Sequence, residues 1–319
     1  LQAVFEIVHS VLAGLVLFLY GIFNLSDQLK ILLGEKAKSV LENYTKNRLT
    51  GILLGIITTA LLDSSSAVII IAIVMVNSGM LTFRQTMGIV LGANIGTTVG
   101  SQIIALNFSK FSPLILLPGL ILMMASKKIK LKKTGEALFF FGILFYGLYV
   151  IETAVEPLKN DAFILEWLKK TEYPLQGSIF GALITFIIQS SSATVGMCIV
   201  MVKKGLLSIK SGIAIMMGAE LGTCSDTLIA TINGTRQALK TGIFHTFFNL
   251  VSILLGLVFF EPFSHIVSEI SKELSPENHM ANAHMIFNVM GVLLFFFFIP
   301  LIEKILNIIL PDIKHQVSA

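Results

Sequence analysis

The sequence predicts an all-α polytopic membrane protein, an inverted-topology repeat with two re-entrant helical hairpins and two broken helices. Three observations predict it. Of 319 residues, 55% are hydrophobic and only 13% charged, against about 25% charged in a soluble domain; mean hydropathy is +0.85. Apolar runs such as Val4 to Asn24, Ala137 to Val155 and Val289 to Leu301 are too long for a soluble core. One segment is also written twice without a gap, at a constant offset of 126 residues (Ser64 to Ser190). Ser64, Ser65 and Ser66 fall on Ser190, Ser191 and Ser192, and Gly92, Gly96 and Thr97 fall on Gly218, Gly222 and Thr223. Repeats of interrupted, polar-centred apolar segments mark secondary transporters.

Taken in order, full crossings are expected near 4–24, 85–105, 111–126, 136–156, 211–231, 240–260 and 282–302. The segments 49–78 and 176–204 differ. Each is two short apolar stretches hinged at a serine triplet, where a full span needs about 20 residues. This reads as a hairpin stopping at mid-membrane; one long tilted helix with back-bonded serines is the alternative. Repeat 1 then covers 1–126, with a basic loop at 127–135. Repeat 2 covers 136–260, and 261–319 holds an outer loop and the C-terminal helix. Lys159 to Glu172, with Trp167, reads as a short interfacial helix.

Orientation follows from the positive-inside rule. Lys127, Lys128, Lys130, Lys132 and Lys133 place their loop in the cytoplasm, and threading outward puts Lys30, Arg84, Arg236, Lys304 and Lys314 there too. The acidic loop Glu261 to Glu277 falls outside, as does the amino terminus; the carboxyl terminus is inside. Three crossings separate the hairpins, so the second copy is inverted relative to the first. The expected location is the plasma membrane, multi-pass. Compactness without long termini points to a bacterial source.

The same reading excludes several classes. The net charge of +4 sits in membrane loops and does not imply nucleic acid. Cys198 and Cys224 lie in apolar segments and make no disulfide framework. The first apolar segment is too long for a signal-peptide core. No nucleophile-elbow glycines surround either triplet, so an intramembrane serine hydrolase is disfavoured and the protein is not expected to be an enzyme. No cofactor is implied, and oligomeric state is not encoded legibly.

The hinge carries the chemistry. Serine hydroxyls at mid-membrane are costly unless they face one another, water or a ligand. The second arm of each hairpin starts at its serines, so free N–H groups and the positive helix end gather there and favour an anion. Gln189 adds an amide donor. The motifs GANIGTT and GAELGTC follow, and two glycines beside threonine can unwind a helix. Freed carbonyls with Thr hydroxyls and Asn94 suit sodium; tight helix packing is the bland reading. His245 and His284 each precede an Asn by four residues, which favours a helix-bridging hydrogen bond over a ligand role.

The doubled triplets and glycine motifs, with HTFFN and HMIFN further on, resemble the type II sodium-dependent phosphate cotransporters and their bacterial relatives. The resemblance implies sodium-coupled symport of phosphate by alternating access. It places substrate contacts at Ser64, Ser65, Ser66, Gln189, Ser190, Ser191 and Ser192, and ion or substrate contacts at Asn94, Thr97, Thr98 and Thr223. Asp63 stands where the family has glutamine and Glu220 where it has asparagine; Cys224 answers Thr98, and Asp226 follows. These carboxylates either bind coupling sodium, carry a coupling proton, or, with Cys224, hold a divalent cation that is itself the substrate.

Overall fold

The computed structural model describes residues 2–106 and 108–311, and all regular structure among them is helical. In chain order, the helices are α1 Gln2–Tyr44, α2 Arg48–Leu62, α3 Ser65–Asn77, α4 Phe83–Ala105 and α5 Ser112–Ala125. Next come α6 Ile129–Ala154, α7 Ala162–Lys169, α8 Pro174–Ile188, α9 Ser191–Lys203, α10 Ile209–Gly222 and α11 Cys224–Ile229. The chain closes with α12 Arg236–Val258, α13 Phe260–Ile270 and α14 Pro276–Ile309. Among the described residues, five stretches are long and apolar enough to cross a membrane: Phe5–Tyr44, Phe83–Ala105, Ile129–Leu158, Arg236–Val258 and Pro276–Ile309. The protein is a helical membrane protein.

Both segments carrying a serine triplet are broken helix pairs, not single long helices. α2 ends at Asp63 in the left-handed region (φ 48°, ψ 36°), and α8 ends at Gln189 in the same conformation (φ 60°, ψ 31°). Each helix is stopped by a left-handed cap. The next is started by a serine N-cap, with Ser64 Oγ accepting from Ala67 N and Ser190 Oγ from Ala193 N, both at 3.2 Å. The second arms are interior: Val68, Ile69 and Ala72 of α3 and Ala193, Val195 and Ile199 of α9 are buried. The first arms present Leu49, Leu53, Ile57 and Leu61, and the equivalent Leu175, Ile179, Leu183 and Ile187, outward at four-residue spacing, as a lipid-facing stripe requires.

The two copies pack alike. A Cβ on Gly92 of α4 would lie 2.0 Å from the Ile52 carbonyl oxygen, and one on Gly218 of α10 would lie 1.8 Å from that of Ser178. Backbone therefore touches backbone where α2 meets α4 and where α8 meets α10. The long helices α1 and α6 meet reciprocally. Gly21 lies against Leu144, and Gly147 lies against Phe18; each contact is the other with the aligned positions exchanged. The far ends of α3 and α9 cross over in the same sense. Asn77 Oδ1 accepts from Thr235 N at 2.7 Å. Lys203 Nζ lies 2.6 Å from Glu152 Oε1, to which Ser109 Oγ also donates at 2.9 Å. Asn77 corresponds to Lys203, and Thr235 to Ser109.

Several expectations are corrected. α4 is continuous through GANIGTT, so 85–105 is not a broken helix; only copy two is interrupted, for one residue at Thr223. The physical reason is that the polar side chains return to their own helix. Asn94 Nδ2 donates to Val90 O at 2.8 Å, Thr97 Oγ1 to Ala93 O at 3.0 Å, and Thr98 Oγ1 to Ile95 O at 2.7 Å. α1 runs far beyond Asn24, because its polar second half still buries Ala37 and Leu41. α5, even with the 3-10 turn Ser109–Phe111 before it, spans Ser109–Ala125 and falls short of the roughly 20 residues of a full crossing. The loop expected from Glu261 contains α13, whose Phe260, Phe263 and Val267 are buried on one face. α7 occupies the predicted interfacial stretch; the Trp167 side chain and Lys314 lie outside the described residues.

Candidate functional site

The two hinges share one cavity of about 390 Å³. Asp63, Ser64 and Ser66 come to it from the first helix pair, Gln189 and Ser190 from the second, and Asp226 from α11. The wall opposite is α1, with Ile22, Phe23, Ser26, Asp27 and Lys30. Ser26 Oγ donates to Leu62 O at 3.3 Å and ties this wall to the first hinge.

The local fold determines what the cavity offers. Because Ser64 and Ser190 use their side chains on the third amide of their helices, the amides of Ser65, Ser66, Ser191 and Ser192 have no intrahelical acceptor. Two positive helix ends therefore border one space, an arrangement suited to an anion. Gln189 is held by donating from Nε2 to Phe186 O and by Ser225, whose Oγ lies 3.2 Å from Nε2. At the rim, Lys30 Nζ and Asp27 Oδ1 form an exposed pair at 3.1 Å.

The carboxylates are placed reciprocally. Asp63 Oδ1 sits where a Cβ on Gly100 would come within 2.7 Å. In the second copy the corresponding positions are Gln189 and Asp226. Besides the rim residue Asp27, each half thus supplies one acid to the cavity, from the hinge in copy one and from the helix in copy two. Ser66 of the first half and Asp226 of the second line the same cavity. Oδ1 of Asp226 is buried with no hydrogen-bond partner.

The other predicted residues are not gathered here. Ser65 and Ser191 are buried at the first turns of α3 and α9. Ser192 lines a second, mainly apolar cavity of about 410 Å³ that also reaches Asp63. Asn94, Thr97 and Thr98 are buried and bonded back to α4. Thr223 Oγ1 donates to Glu220 O at 3.1 Å, and Cys224 is a buried free thiol beside Asn249, Nδ2 to Sγ 3.2 Å.

Glu220 is committed elsewhere. Its Oε1 lies 2.7 Å from His284 Nε2, and Nδ1 of the same ring lies 2.7 Å from Ser101 Oγ. His245 makes the parallel set, with Nδ1 at 2.8 Å from Thr227 Oγ1 and Nε2 at 3.0 Å from Asn249. Both histidines bridge helices, and Thr227 is the repeat equivalent of Ser101. The divalent-cation constellation of Asp63, Glu220, Cys224 and Asp226 does not assemble. Among the described residues no group of three or more His, Cys, Asp or Glu is placed to hold a metal ion.

Sequence reasoning missed the α1 wall. The signal was present in Asp27 and Lys30, an i, i+3 pair just beyond an apolar run. It also missed the Glu220–His284 contact, which joins positions 64 residues apart with no local signature.

The family model described as Na+/Pi-cotransporter matches residues 17–153 and 158–299. Among curated proteins, "Uncharacterized protein YqeW" of Bacillus subtilis is 27% identical over 96% of this chain and 99% of its own length. "Putative inorganic phosphate export protein YjbB" of Escherichia coli K12 is 23% identical over 94% of this chain, which spans 55% of that longer protein. Human sodium-dependent phosphate transport protein 2B is 32% identical over 34% of this chain and 16% of its own. No solved structure matches significantly. With a match across both repeats, the chain belongs to the Na+/Pi-cotransporter family.

Proposed function

We propose that the protein is a secondary transporter of inorganic phosphate in the plasma membrane, working by alternating access with sodium as the coupling ion. One observation carries this reading: two N-terminal helix ends, each headed by a serine triplet, border a single cavity. Phosphate takes hydrogen bonds from Ser64, Ser66, Ser190, Gln189 and the free amides at both helix starts. Asp63 supplies the anionic oxygen for a sodium ion that enters beside the phosphate, so each charge offsets the other in a weakly screening site.

The helix pairs act as re-entrant hairpins, and the halves 1–126 and 136–260 are inverted about an axis in the membrane plane. The reciprocal contacts of Gly21 and Gly147, and the crossing of Asn77 to Thr235 against Lys203 to Ser109 and Glu152, support that symmetry. Exchanging the two arrangements exposes the same site to either side. The amino terminus then faces outward and the basic loop faces the cytoplasm.

Transport in proteoliposomes tests the reading. Labelled phosphate should accumulate against its gradient when a sodium gradient is imposed, whichever way the gradient points, and should not do so in sodium-free medium. Asp63→Gln should weaken the sodium dependence at least about tenfold, a loss of ~1.4 kcal/mol of coupling, while phosphate/phosphate exchange continues. Absence of phosphate flux under both gradient directions refutes the transport reading.

A further inference from the structure

The cavity contains a feature that a site built only for negative charge does not need. Once Lys30 is paired with Asp27, the remaining charged groups on its lining are Asp63 and Asp226. Asp63 has the coupling ion to serve. Asp226 is different: it lines the cavity together with Gln189 and Ser190 of the second hinge and Ser66 of the first. Yet Oδ1 is buried and has no donor. A buried acceptor without a donor is costly, and a carboxylate facing an anion repels it unless the anion brings a donor of its own.

We propose that Asp226 is the specificity residue of the site and accepts a hydrogen bond from a protonated oxygen of the bound tetrahedral oxyanion. The inference rests on the phosphate reading above and sharpens it. Phosphate at neutral pH always carries at least one proton, so one P–O–H can donate to Asp226 Oδ1 in a short, charge-assisted bond. Serine hydroxyls, the Gln189 amide and the helix ends supply donors to its other oxygens. Sulfate has the same shape and no proton. In its place it leaves Oδ1 unpaired and sets a bare oxyanion against a carboxylate. Sites built around a substrate hydroxyl reject analogues lacking it by factors on the order of 10⁴.

This also accounts for the reciprocal placing of the two acids. At the position equivalent to Asp226 the first copy has Gly100, against which Asp63 packs. One half of the cavity therefore presents its acid from the hinge, the other from the helix that follows. The two acids approach the bound ion from different elements and take different tasks, the cation and the proton.

The test is competition for labelled phosphate bound to the purified protein in sodium-containing buffer at neutral pH. Arsenate and selenate serve with sulfate as probes, because arsenate carries a proton and selenate does not. The wild type should be displaced by arsenate, and at least ~100-fold less well by sulfate or selenate. Asp226→Asn replaces the acceptor with a group that can donate; it should lose at least about tenfold of that discrimination, while Asp226→Glu keeps most of it. Equal displacement by sulfate and arsenate in the wild type overturns the inference and leaves phosphate transport standing. Unchanged discrimination in Asp226→Asn overturns it as well. If Asp226→Asn does not fold, the wild-type comparison and Asp226→Glu decide. Failure of the wild type to bind phosphate at all overturns the transport reading and this inference together.

Discussion

His284→Leu should destabilise the protein by about 2–6 kcal/mol, since it leaves two buried hydrogen-bonding groups without a partner at about 1–3 kcal/mol each. The ring is fully buried, Glu220 is 2% exposed, and the two meet at 2.7 Å. Leucine fills most of the space but leaves the Glu220 carboxylate and the Ser101 hydroxyl without their shared partner. Unfolding followed by heating in detergent should show a fall in midpoint of many degrees. Glu220→Gln should cost far less, since an amide keeps a hydrogen bond to the ring. At the position aligned with Glu220 the first copy has Asn94, bonded back to Val90. A melting point for His284→Leu within a degree of the wild type is incompatible with this account.

The second large effect belongs to a glycine. Gly218→Ala puts a Cβ 1.8 Å from the Ser178 carbonyl oxygen, 2.5 Å from its carbon and 2.8 Å from its Cα. All three are backbone atoms, so no side chain can swing aside, and α8 must move off α10. Alanine gains roughly 1 kcal/mol of helix propensity over glycine, but overpacking against backbone costs about 3 kcal/mol or more; the clash decides the sign. Little folded protein should survive size-exclusion chromatography. Gly34→Ala in α1 is the control, since nothing lies within 4 Å of the added carbon, and it should be neutral or mildly stabilising. Equal yields of the two variants contradict the close helix approach.

The hinges were legible in the sequence because several local rules agree at Asp63-Ser64 and Gln189-Ser190. Two apolar stretches too short to span meet there, and a serine in N-cap position opens the second. The repeat made each instance confirm the other. The state of GANIGTT was not legible, because Asn94, Thr97 and Thr98 can use their polar atoms in two ways. They can bind an ion beside an unwound helix or bond back to the preceding turn, and the residue types are the same in both cases. The glycines are equally ambiguous between unwinding and close packing, and here packing against α2 takes them. The length of α1 was missed because its second half is amphipathic: Ala37 and Leu41 are buried while Lys36 is exposed and Lys38 half-buried, a pattern that reads as a basic loop when only charge is counted. Of the acids, Asp63 and Asp226 reach the cavity through positions the repeat alignment links. Glu220 leaves that set because its partner lies on α14, beyond the repeat.

The central claim is that the two hinges form one phosphate site. Equilibrium binding of labelled phosphate to the purified protein, comparing wild type with Ser66→Ala and Ser190→Ala, tests it most directly. These residues sit on different helix pairs and border the same cavity. Each substitution removes one hydroxyl donor to an anion, worth about 1.5–3 kcal/mol, so each should weaken binding at least tenfold, and the double variant should bind no measurable phosphate. Phosphate affinity that is unchanged when both hydroxyls are removed, in variants that remain folded, would contradict the account.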